Sequence, residues 1–165
     1  MKRSRTPTLF IVLLFAALFV AATPQGIAAT PEPIRWTLAA SVQNHLTLRK
    51  GSEVTAHIHA VIQPGWHVYA LNQRPGGPMA ARIVVPQDQA FVLNGDIDET
   101  ASTKRYDPNF NMETRLYEHE ASFSIPLTAT NDRSPKLFID VHYQACNDTI
   151  CLEPTTAHLS TIIGQ

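Results

Sequence analysis

Apolar residues in this chain recur at every second position rather than every third or fourth. From Glu53 to Ile62, the side chains of Val54, Ala56, Ile58, Ala60 and Ile62 share one face, and Thr55, His57, His59 and Val61 share the other. Ala121, Phe123, Ile125 and Leu127 alternate with Ser122, Ser124 and Pro126, and Leu137, Ile139, Val141 and Tyr143 with Phe138, Asp140 and His142. A period of two sets one row of side chains against a core and the other toward solvent, as in a half-buried strand. Further strands are predicted at Ile34 to Val42, Trp66 to Ala70, Ala81 to Val85, Ala90 to Leu93 and Thr156 to Ile163. Turn residues separate them, among them Lys50-Gly51, Gln63-Pro64-Gly65, Arg74-Pro75-Gly76-Gly77-Pro78 and Asn94-Gly95. No amphipathic helix of three turns is found. About seven or eight short strands with turns between them predict an all-β, antiparallel β-sandwich. Asp96 to Met112 lacks alternation and is expected to be a long loop, a kind of segment that is more often functional than idle.

The first residues follow a different pattern. Lys2, Arg3 and Arg5 precede an apolar run from Leu9 to Ala22, and small residues continue through Ala28 and Ala29. That run is short for a membrane span and suits a secretory signal. Residues 1–28 are therefore expected to be a signal peptide, cleaved after Ala28 or, alternatively, after Ala22. The competing reading is an uncleaved anchor. Residues 29–165 are expected to form one domain, a size sufficient for a single core, exported to the periplasm. The membrane would be reached only through the signal or a partner. With 13 basic and 14 acidic residues scattered along the chain, no basic stripe exists to bind nucleic acid.

Only two cysteines occur, Cys146 and Cys151, with Asn147-Asp148-Thr149-Ile150 between them. Asn147 and Asp148 are good turn residues. If the four form a hairpin loop, the cysteines face each other across neighbouring strands at a separation a disulfide accepts. As a staple such a bond contributes only about 2 kcal/mol, because the loop it closes is short. A hairpin tip would also present its sulfurs to a partner's thiolate, as exchange requires. Redox exchange, a structural bridge and a metal site all remain open on these residues alone. Phe110 lies in a polar stretch, Asp107-Pro108-Asn109-Phe110-Asn111, where its ring has no strand face to join; this suits a cap.

The segment Val141-x-Tyr143-Gln144-Ala145-Cys146-Asn147-Asp148-x-x-Cys151-Leu152-x-Pro154 resembles the redox-active segment of the periplasmic amino-terminal domain of the thiol–disulfide interchange protein DsbD. Gly65-Trp66-His67-Val68-Tyr69 with Gly77-Pro78, and Lys104-x-Tyr106-Asp107-Pro108-Asn109-Phe110 with Leu116-Tyr117-Glu118, agree with that family in order and spacing. The resemblance implies an immunoglobulin-like sandwich with one exchangeable disulfide, acting as a thiol–disulfide oxidoreductase-like electron-transfer module without a cofactor. It implies a thioredoxin-like electron donor, and as acceptors periplasmic disulfide isomerases or thioredoxin-like proteins of cytochrome c maturation. Cys151 would form the mixed disulfides and Cys146 would resolve them. Phe110 and Asp107 would form the cap, and Tyr69 and Trp66 would line the sulfurs. The family's best-known member has one more residue between its cysteines. No membrane electron channel follows before Gln165, so electrons are expected to come from a separate protein.

The seven histidines show no zinc-type spacing. His57 and His59 share a strand face, His142 is near Cys146 in sequence, and Met79 and Met112 could complete a copper site. Separate surface histidines are the expectation, with no metal bound. The alternative to exchange is a non-enzymatic periplasmic sandwich that binds a partner or metal, its disulfide only pinning a hairpin.

Overall fold

The computed structural model describes residues 32–43, 47–132 and 134–163. The expected signal at 1–28 and His45 lie outside the described residues. The described chain contains twelve strands: β1 (Ile34–Val42), β2 (Glu53–Ile62), β3 (His67–Tyr69), β4 (Arg82–Val84), β5 (Phe91–Leu93), β6 (Asp98–Glu99), β7 (Thr103–Asp107), β8 (Met112–Tyr117), β9 (Glu120–Ala129), β10 (Lys136–Tyr143), β11 (Ala145–Cys146) and β12 (Thr155–Ile162). All pairings are antiparallel. The fold is an all-β sandwich of the immunoglobulin-like type.

The strands form three hydrogen-bonded sheets. The largest runs β1-β2-β9-β5, with β6 also on β9; the second runs β12-β10-β4, and the third β11-β3-β8-β7. The period-two faces read from the sequence are the faces observed. Val54, Ala56, Ile58, Ala60 and Ile62 of β2 are buried, as are Ala121, Phe123, Ile125, Leu127 and Ala129 of β9, and Leu137, Ile139 and Val141 of β10. With Val68, Tyr117 and Ala145 of the third sheet they make one continuous core. Tyr143 is half-buried, its ring 5.1 Å from that of Trp36.

Pro126 lies inside β9, opposite Thr55 of β2. A proline is tolerated there because β5 pairs with Leu127 to Ala129 and β6 with Phe123 and Ser124, leaving a break between them. The Pro126 carbonyl accepts from Asn94 N–H at 2.9 Å, so its missing N–H faces the same break and leaves no donor wanting. Gly95 turns the chain at this point with φ +128°, a conformation that favours glycine.

One expectation fails. Asp96 to Met112 is not a loop: it contains β6 and β7 and runs into β8. The β7 residues Thr103, Lys104, Arg105, Tyr106 and Asp107 carry no apolar alternation, so periodicity could not reveal a strand held by backbone pairing to β8. The β7–β8 hairpin carries Phe110 and is hydrogen-bonded to the loop between the cysteines.

Candidate functional site

The third sheet is covered on both faces, and its alternation builds the site. Val68, Tyr117 and Ala145 enter the main core, while their neighbours Tyr69, Leu116 and Cys146 form a second, separate cluster, against which Phe110 and Cys151 pack. Cys146 pairs directly with His67 of β3. Paired residues project from the same face of a sheet, so Cys146, His67 and Tyr69 are neighbours on one side.

Cys146 and Cys151 are bonded, with Cα atoms 4.0 Å apart. The loop between them is closed by Asn147. Its N–H donates to the Ile150 carbonyl at 2.9 Å, and its side-chain oxygen accepts from the N–H groups of Thr149 and Ile150, both at 2.8 Å. The expected four-residue hairpin loop is therefore present. The two cysteines at the tip are not equally exposed. Pairing of β11 with β3 draws Cys146 under the sheet, where it is 0% exposed, whereas Cys151 is half-buried.

The residue expected to cap the pair, Phe110, lies in the turn 108–111 between β7 and β8. Asn111 adopts φ 53°, a left-handed geometry asparagine tolerates better than most residues. The Phe110 ring meets the Tyr69 ring edge-on, centroids 5.8 Å apart. Two polar contacts also join cap to disulfide loop: Asn109 Nδ2 donates to the Asn147 carbonyl at 2.9 Å, and Arg105 donates to Asp148 at 3.0 Å. The Asp148 carboxylate, which alone would disfavour a nearby thiolate, is thus faced by a guanidinium.

Beneath the cap lies a buried polar chain. Tyr69 Oη donates to Asp107 Oδ2 at 2.5 Å, and Asn109 N–H donates to Asp107 Oδ1 at 2.9 Å. Burial, then the bond to Asp107, push the Tyr69 phenol up, so it stays protonated and donates. His67 is 1% exposed; its Nδ1 lies 3.3 Å from an Arg105 nitrogen and its Nε2 3.9 Å from Asp107 Oδ2. Burial, and secondarily the Arg105 charge, pull the His67 imidazole below its ordinary range, against a smaller opposite pull from Asp107, Asp148 and Glu118. Arg105 also donates to Glu118 at 2.7 Å.

Of the residues expected at a site, Cys146, Cys151, Phe110, Asp107 and Tyr69 come together here. Trp66 does not; it packs against the main core. Of the histidines and methionines considered for copper, His59 contacts Ser122 and His142 contacts Thr156, while Met112 lies against Gly77. Among the described residues no group of three or more His, Cys, Asp or Glu is placed to hold a metal ion.

A family model described as thiol:disulfide interchange protein DsbD, N-terminal, matches residues 37–162. The chain belongs to the DsbD amino-terminal domain family. No curated protein matches it. Among solved structures it is similar to the N-terminal periplasmic domain of ScsB from Proteus mirabilis, with TM-score 0.57 and 16% identity over 86% of this chain and 49% of that one. The chain thus spans about half the length of that relative, and the likeness shows the fold. The DsbD n-terminal domain of Neisseria meningitidis in its reduced form gives TM-score 0.47 and 15% identity over 70% of this chain and 79% of that one.

Sequence reading of this DsbD amino-terminal domain missed His67, Arg105 and Asn109 as site residues. A signal existed for the first two. His67 lies two residues from Tyr69 on β3, and Arg105 two residues from Asp107 on β7, so each shares a strand face with a residue already singled out.

Proposed function

We propose that this chain is an exported thiol–disulfide exchange module that passes reducing equivalents between thioredoxin-like proteins through the Cys146–Cys151 bond. The observation that carries the reading is the unequal burial of the two cysteines beside the Phe110 hairpin: Cys146 is fully buried, Cys151 half-buried. A partner's thiolate attacks Cys151, the bond between the cysteines breaks, and Cys146 leaves as the thiolate. In the opposite direction Cys146 resolves the mixed disulfide. Phe110, Tyr69 and Asp107 form the cover that a partner must displace. The signal at 1–28, the domain at 29–165, the periplasmic location and the acceptors named above, disulfide isomerases or cytochrome c maturation proteins, belong to this reading.

A Cys146→Ser variant tests it. With no resolving thiol, Cys151 should accumulate as a mixed disulfide with a thioredoxin-like protein in the cell envelope, separable on a non-reducing gel. Glutathione equilibration supplies a second measure: a potential below about −300 mV would mark a bond that resists reduction and defeat the reading.

A further inference from the structure

His67 Nε2 is a buried polar atom without a hydrogen-bond partner, and such atoms are rare enough in folded proteins to call for a reason. Its proton can be placed. Arginine has only donors, so the Arg105 contact at 3.3 Å makes Nδ1 an acceptor, and the neutral ring therefore carries its hydrogen on Nε2. That N–H stops 3.9 Å from Asp107 Oδ2, an oxygen already taken by Tyr69. The ring's lone pair is occupied by Arg105, and its proton points at a carboxylate just beyond reach.

Both groups that hold His67 in this state, Arg105 and Asp107, stand on β7, the outer strand of the cap hairpin. A displacement that carries β7 away with the turn would also withdraw Arg105 from Nδ1. His67 is at the same time the cross-strand partner of Cys146. We propose that His67 holds the proton of the enclosed cysteine during exchange, and that Arg105 keeps the imidazole unavailable until the cap hairpin moves. The proposal rests on the exchange reading given above.

The step balances as follows. Starting from a mixed disulfide at Cys151, the Cys146 sulfur bonds to the Cys151 sulfur, and the Cys151–partner bond breaks. The electron pair leaves on the partner's thiolate, and the Cys146 proton passes to the imidazole nitrogen that Arg105 vacated. In reverse, the imidazolium returns that proton to the Cys146 thiolate as a partner's thiolate opens the disulfide. The charged and titratable groups around His67 are Arg105 and Asp107 of β7, Glu118 after β8, Asp148 of the disulfide loop and Tyr69 of its own strand.

The test uses the reduced protein and an aromatic disulfide, 5,5′-dithiobis(2-nitrobenzoate). The first coloured thiolate reports mixed-disulfide formation at Cys151, the second reports ring closure by Cys146. In the unmodified protein the second rate should show an inflection in the histidine pH range. His67→Gln should slow the second release at neutral pH by at least about tenfold, a modest share of what proton transfer usually contributes, and abolish that inflection, leaving the first release unchanged. Arg105→Leu frees Nδ1 and should move the inflection to higher pH, and it decides the matter if His67→Gln does not fold. An unaltered second-step profile in His67→Gln, or an inflection unmoved in Arg105→Leu, overturns the proposal while leaving exchange standing. Absence of any second release from the unmodified protein overturns both.

Discussion

At the residue scale, His67 is held neutral by burial and by a guanidinium whose only contribution can be donors. This has a thermodynamic consequence independent of any partner. The unfolded chain offers His67 an ordinary imidazole near pH 6.5, while the folded chain refuses the proton until lower pH. Above pH 6.5 neither state is protonated and the His67 contribution to stability is fully present. As pH falls below 6.5 the unfolded state gains a proton the folded state lacks, so stability declines, with a slope of at most about 1.4 kcal/mol per pH unit. The decline stops once pH passes the folded-state value. Urea unfolding at pH 7.5 and 5.5 should therefore show a lower midpoint at the acid pH. A His67→Gln variant should lose that part of the difference; an equal difference in both proteins would mean that His67 titrates alike folded and unfolded.

At the element scale, a ring pair and a charge pair of unequal weight are among the contacts that hold the β7–β8 hairpin against β3 and the disulfide loop. The Phe110–Tyr69 ring pair is worth about 0.5–1.5 kcal/mol beyond the area it buries. The Arg105–Asp148 pair is weaker, because the Asp148 side chain is 73% exposed, and such pairs contribute at most about 1 kcal/mol. Removing the ring should therefore free the cap more than removing the charge. In the reduced protein, Phe110→Ala should speed reaction of the cysteines with a bulky maleimide by on the order of tenfold, the equivalent of about 1.4 kcal/mol. Asp148→Asn should change the rate less than Phe110→Ala does. Equal rates for Phe110→Ala and the unmodified protein would remove the ring from the cover. The same hairpin marks where sequence stopped being informative. β2, β9 and β10 announce themselves by apolar alternation because one face of each lies in the core. β7 buries almost nothing through its own side chains, Asp107 excepted, and owes its conformation to backbone pairing with β8. The cysteine loop was legible from Asn147 and its spacing; the unequal burial of the two cysteines was not, since it depends on β11 pairing with β3 across a separation no local pattern records.

At the scale of the whole molecule, two Gln side chains extend the sheets where strands run out. The Gln73 amide bonds both N–H and C=O of Arg115 on β8, and the Gln89 amide does the same for Phe138 on β10. On β10 the Gln89 amide takes the place of a neighbouring strand's peptide unit and satisfies backbone that would otherwise be open to pairing with another chain, while on β8 the Arg115 carbonyl also accepts from the Ala70 N–H at 2.9 Å. The core these sheets enclose contains neither sulfur: Cys146 and Cys151 belong to the small cluster with Tyr69, Leu116 and Phe110, separate from the continuous core. The bond between them spans a sequence separation of 5, so opening it returns little entropy to the unfolded chain, about 2 kcal/mol. Under the proposed exchange reading the domain has to survive the open state of its disulfide, and this division of the interior meets that need. Denaturant unfolding with and without a dithiol reductant should give the same slope and a midpoint lowered by the equivalent of about 2 kcal/mol, since the slope follows the surface exposed on unfolding and the main core is untouched. A reduced protein that has already lost its cooperative transition in the absence of denaturant would mean that the bond holds the sandwich together, and that a structural bridge, not an exchange centre, is the better description of the pair.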